Sequence, residues 1–136
     1  MINADLEALA ARRLDSIDIA NDPYRHSKIG WKVATFSNAM TYRFISLAEG
    51  VALSWNNSNA LSTVLNARAI IETTAIHWEF CGQFSKLAEQ LDFGAVDQLA
   101  MLYLFGTRDE ELLRDAPELK ARQVLNAIDL LDRKLA

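Results

Sequence analysis

Between Trp31 and Trp55 the apolar residues Val33, Phe36, Met40, Phe44, Leu47 and Val51 recur every three or four positions. That step follows the 3.6-residue turn of an α-helix, so the spacing predicts a helix over 31–55, which Gly50 is expected to kink. No segment sustains the period-two alternation of a half-buried strand, and no sheet is expected. Only five Gly and two Pro interrupt a chain of 136 residues that is 51% apolar. That length suits one domain with its own core, and that composition favours packed helices over disorder.

The remaining helices read from similar patterns. Ile2, Leu6, Leu9, Ala10, Leu14 and Ile17 predict a first helix with Asn3 as its N-cap, ended by Asn21-Asp22-Pro23. The run Asn56-Asn57-Ser58-Asn59 predicts a turn, with Ser58 or Asn59 capping a third helix over 60–84. That helix is apolar on two sides, along Leu61, Val64, Leu65, Ile71, Ala75 and Trp78 and along Ala60, Ala67, Ile70, Thr74, His77, Cys81 and Phe84. A helix of this kind is expected at the centre, packed by neighbours on several sides. Beyond it, Asp92-Phe93-Gly94 either breaks the pattern or is passed over by a helix continuing to Phe105, where Gly106 caps it. A last helix is expected over 117–135, with Pro117 in its first turn. The expected fold is all-α: a single domain over 1–136, an antiparallel bundle of four long helices plus one or two short ones.

Charge and cysteine content narrow the function classes. The net charge is −4, and the acidic surplus falls in residues 59–136, which carry twelve acidic and eight basic side chains against six of each in residues 1–58. A protein of this balance lacks the clustered Lys and Arg of a nucleic-acid binder, and Arg12-Arg13 and the segment from Arg25 to Lys32 read as solvated faces. His26, between Arg25 and Lys28, reads as an exposed surface histidine. Cys81 is the single cysteine, so no intrachain disulfide and no cysteine-rich zinc site is expected, and the cytoplasm is the natural compartment. The first residues have neither signal-peptide nor transit-peptide character, and no run of about 20 apolar residues suggests a membrane span.

The charges of the segment NARAIIETTAIHWEF, residues 66–80, raise the functional question. Arg68 and Glu72 stand four apart on one helical face that also carries Leu61, Val64, Leu65 and Ala75, so they are expected to be partly buried. Buried charges need partners, and Tyr42, Arg43, Asn66, Glu79 and polar groups of the last helix are the candidates. One reading is an Arg fork for an anionic ligand with Glu72 as acid or base; the other is a structural network that sets helix register. His77 lies five residues after Glu72, about 140° round the helix by ideal geometry, and points elsewhere. Glu-x-x-His metal spacing would need His at position 75, which is Ala. His77 and Cys81 have the spacing of two ligands, but the chain supplies His26 alone as a further His or Cys, so no metal and no cofactor is expected. No glycine-rich phosphate loop and no nucleophile elbow is present. Trp31, Trp55, Trp78, Phe80 and Phe84 are expected mainly in the core, with Trp55 and Trp78 as candidate walls of an apolar ligand pocket.

Three stretches, ALSTVLNARAIIETTAIHWEF, LYLFGTRD and ARQVLNAIDLLDRK, together resemble a broad group of uncharacterised bacterial helical proteins that are loosely HEPN-like. The resemblance covers residues 58–135. It implies that Arg68 and Glu72 form the group's central pair, Arg108 and Asp109 its turn, and Asn126, Ile128 and Asp129 its later helix. Nuclease members of that superfamily carry an Arg followed by His four to six residues later; neither His26 nor His77 has an Arg at that spacing. The resemblance also implies a further helix with a His-Pro-Asn turn that this sequence lacks, which suggests a shortened version or half of a site completed by a partner.

The preferred expectation is a non-catalytic helical module that binds a partner protein or small ligand and forms a homo-oligomer. Its candidate ligand-contacting residues are Arg68, Glu72, Tyr42, Trp55, Trp78 and His77, with no catalytic residue assigned. A nuclease or phosphate-ester hydrolase completed across a dimer, and a binder of a small apolar ligand, are the alternatives.

Overall fold

The computed structural model describes residues 2–22, 24–121 and 123–135, the side chains of residues 2 and 3 excepted. Six α-helices lie among the described residues: α1 (Ile2–Ala10), α2 (Lys28–Asn56), α3 (Ala60–Glu89), α4 (Phe93–Phe105), α5 (Glu110–Asp115) and α6 (Val124–Leu135). Short 3-10 turns occupy Tyr24–His26 and Pro117–Leu119. The fold class is all-α, without a β-strand among the described residues. Two helices are long, α2 with 29 residues and α3 with 30, while α4 and α6 have 13 and 12.

Capping residues set the ends of the long helices. The Ser27 hydroxyl accepts from the Gly30 amide at the start of α2, and the Asn59 side chain accepts from the Ser62 amide at the start of α3. Ser58, the middle of the three residues between α2 and α3, takes a left-handed φ of 57°, which turns the chain sharply. A second left-handed residue, Leu91 at φ 55°, ends α3, and Asp92 caps α4 by accepting from Ala95. The break at 91–92 is therefore real, and the chain does not run as one helix to Phe105.

Folded back in this way, α2 and α3 meet along their length. Gly50 faces Asn66, Arg43 donates to Thr73 at 3.0 Å, and Phe36 packs on Phe80 with ring centroids 4.4 Å apart. At Gly50 an added Cβ would stand 2.9 Å from the Asn66 side-chain nitrogen, so the glycine serves close helix approach. The core forms where α4 joins this pair: Phe36, Phe80 and Leu99 are buried, with Tyr103 set edge-on to both Phe rings. A 2.6 Å ion pair from Lys32 to Asp97 ties α2 to α4.

Two helices are shorter than their apolar periodicity suggests, for one physical reason. Helix α1 stops at Ala10, seven residues before Ile17. Beyond it the Asn38 side-chain amide donates to the Leu14 carbonyl at 2.9 Å and its oxygen accepts from the Leu14 amide at 3.1 Å, while Trp31 Nε1 donates to the Ile17 carbonyl at 2.8 Å. These bonds hold residues 14–17 against α2, and the Leu14 amide, with its one proton given to Asn38, cannot close a helical turn. The Asn3 cap assignment lies outside the described side chains. At the other end, Pro117 begins a single 3-10 turn, and α6 starts only at Val124. There the Leu119 carbonyl accepts from the Thr107 amide and the Ala121 amide donates to the Thr107 carbonyl, both at 2.8 Å, forming a parallel bridge between Thr107 and Lys120.

The two-sided apolar pattern of α3 is covered on one side only. Ala75, Phe80 and Thr73 are buried, whereas Leu61, Val64, Leu65, Ile71 and Trp78 are exposed. The expectation of a central helix packed all round is thus corrected: α2, α4 and α6 occupy part of its circumference, and five large apolar side chains face outward. No helix among the described residues is long and apolar enough to cross a membrane.

Candidate functional site

Arg68 and Glu72 sit on the same face of α3, as their spacing requires. Arg68 Nε donates to Glu72 Oε1 at 2.9 Å, with the Arg68 side chain 72% exposed and that of Glu72 27% exposed. Glu72 is partly buried, as expected, and Arg68 is exposed; of the expected partners, Tyr42 and Arg43 bond elsewhere, while polar groups of the stretch before α6 face the pair. The α3 face that carries the pair opens into a solvent cavity instead of a helix interface, so each charge keeps water and needs only its neighbour. Such a pair contributes about 0.2–0.5 kcal/mol to the helix, too little to explain the fold.

What lies opposite Arg68 is the segment joining α4 to α6. An open cavity of about 630 Å³ is lined by Arg68 and Glu72 from α3, Arg108 and Glu110 around the start of α5, and Lys120 and Gln123 just before α6. The stretch FGTRD explains how this wall is built. Gly106 ends α4 with an extended ψ of 129°, and a Cβ there would collide with the Leu102 carbonyl oxygen and stand 3.4 Å from Ala121 Cα. Thr107 makes the bridge to Lys120 and takes the Asp109 amide on its hydroxyl at 3.0 Å. Asp109 then caps α5, accepting from Glu111 and Leu112. Arg108 stands between the bridge and the cap, on the cavity wall.

The other candidate residues do not join this cavity. Tyr42 is not among its lining residues; its hydroxyl lies 3.4 Å from Asp15 and the Arg13 guanidinium 5.1 Å from its ring centre. Trp55 lines a shallow pocket with Ser58, Asn59 and Ala60 at the α2–α3 turn, and Trp78 is not among its walls. His77 lines an apolar pocket of about 230 Å³ between α1, α2 and α3, with Leu9, Met40, Phe44 and Thr73. Burial there pushes the His77 pKa down, favouring the neutral ring, and its Nε2 lies 3.7 Å from Cys81 Sγ. Burial likewise pushes the Cys81 thiol up, away from the reactive thiolate.

The most buried acid is Glu79, 8% exposed, which accepts from Gln83 at 2.9 Å and lines a smaller cavity of about 140 Å³ with Tyr103 and Gly106. Lys120 and Gln123 belong to the 117–135 span whose polar groups are expected partners of Arg68, but they stand before α6 and not on it.

Comparison with family models, with curated proteins and with solved structures finds no match to this chain.

Proposed function

We propose that this chain is a non-catalytic helical interaction module that self-associates through the outer face of α3. The observation that carries the reading is the line Val64, Ile71 and Trp78, 64%, 56% and 53% exposed and spaced seven residues apart. A seven-residue repeat keeps side chains on one seam of a helix, and over two repeats the seam is about 21 Å long. Leu61 and Leu65 widen it at the N-terminal end. Large contiguous apolar patches are rare on monomers and are rimmed by polar groups where they serve association, as Arg68 and Glu72 rim this one. In this reading α2, α3, α4 and α6 form an antiparallel bundle, and a second copy lays its α3 against the first.

The non-catalytic part of the reading rests on the separation of the reactive groups. His77 faces one pocket and Glu72 another cavity, so the two do not converge on one site. Sedimentation velocity over a wide concentration range tests the association. A concentration-dependent dimer is the expected result, and a strict monomer throughout would overturn it.

A further inference from the structure

The cavity opposite Arg68 gathers three cationic side chains from three separate elements in a chain of net charge −4. Arg68 comes from α3, Arg108 from the turn after α4, and Lys120 from the segment before α6. Their convergence is held by backbone, since the Thr107–Lys120 bridge fixes Arg108 and Lys120 on one wall and the Gly106 approach to Ala121 brings that wall together. Arg68 is aimed by Glu72, which takes its Nε and leaves both terminal amino groups for another acceptor. The side chains of Arg108 and Lys120 have no ion pair or hydrogen bond among the described residues.

We infer that this cavity binds a compact oxyanion of phosphate type carrying two or more negative charges. Guanidinium forks match the tetrahedral spacing of phosphate oxygens, and Lys120 adds a compact point charge. A volume of about 630 Å³ is the size of a small-molecule site and leaves room for the organic part of a phosphate ester. Leu113, Val124 and Leu125 form an apolar wall that such a part would meet. Glu72 and Glu110 also line the cavity; Glu72 is taken up by Arg68 Nε, and Glu110 is the carboxylate that opposes an incoming anion. The reading is independent of self-association: a monomer that binds the anion keeps it and removes the other proposal.

Inorganic pyrophosphate, titrated into the full chain by calorimetry at low ionic strength with chloride as the control salt, tests the site. One saturable site per chain is expected. Arg108→Ala and Lys120→Ala, both exposed positions that leave the fold intact, should each weaken binding by about tenfold, the effect of losing one charge-assisted contact of about 1.4 kcal/mol. Glu110→Gln should tighten it about three- to tenfold by removing the rim charge. Phosphate esters that bind more tightly than pyrophosphate would assign the apolar wall to the organic part; equal affinities would restrict the site to the free oxyanion. Absence of saturable binding, or binding that neither Arg108→Ala nor Lys120→Ala alters, would overturn the inference.

Discussion

Gly106 and the Leu102 carbonyl oxygen approach so closely that no Cβ fits between them. The contact involves backbone, which cannot swing aside as a flexible side chain would. Gly106→Ala should therefore destabilise the chain by about 1–3 kcal/mol, the usual cost of forcing volume into a closed site. Because Gly106 leads directly into the Thr107 bridge, the same variant should weaken pyrophosphate binding at Arg108 and Lys120. Urea denaturation followed by tryptophan fluorescence, beside the calorimetric titration, reads both effects.

Phe80 is 1% exposed and touches rings on three elements: Phe36 of α2, Phe84 of its own helix and Tyr103 of α4. Phe80→Ala should cost about 3–5 kcal/mol, a large share of the stability of an ordinary domain. Circular dichroism should show a cooperative transition at a much lower temperature, or no transition at all. Wild-type-like melting would mean that the aromatic cluster is not the core.

Trp78→Glu and Ile71→Glu place charges on the outer seam of α3, where both side chains are more than half exposed. Monomer stability should change by no more than about 0.5 kcal/mol, as for surface substitutions generally. Dimerisation, by contrast, should be lost, since a buried charge without a partner opposes association strongly. Sedimentation velocity separates the two effects. Dimers that persist in both variants would move the interface away from α3.

His77 makes stability depend on pH with a defined sign. Its pKa is lowered in the folded chain by burial, so below about pH 6.5 the unfolded chain binds the proton more readily than the folded one. Stability is unaffected by this residue above that pH, falls as the pH drops through it, and levels off below the folded pKa. His77→Gln should flatten that part of the profile, measured as urea midpoints between about pH 5 and 8, above most carboxylate titrations. An unchanged slope in the variant would show that another group carries the proton.

Helix existence was legible wherever local chemistry decided it. The period from Val33 to Val51, the Asn59 cap and the low Gly and Pro content are properties of neighbouring residues, and α2 and α3 follow from them with few surprises. The all-α class follows for the same reason: a strand needs an alternation that no part of the sequence contains.

The limits of α1 and α6 were decided elsewhere. Leu14 and Ile17 carry helical spacing, but Asn38 and Trp31 engage their backbone groups from 24 and 14 residues away. Residues 119–121 likewise give their hydrogen bonds to Thr107. A backbone donor can satisfy only one strong partner, and a partner distant in sequence leaves no trace in local periodicity. The spacing of Arg68 and Glu72 determined that they share a face and reach each other. Whether that face met a helix or solvent depended on where the segment from Gly106 to Val124 crosses α3, which is set by the Thr107–Lys120 bridge and the missing side chain at Gly106. Sequence determined the helices and the pair; long-range backbone pairing decided that the pair looks into a cavity with Arg108 and Lys120.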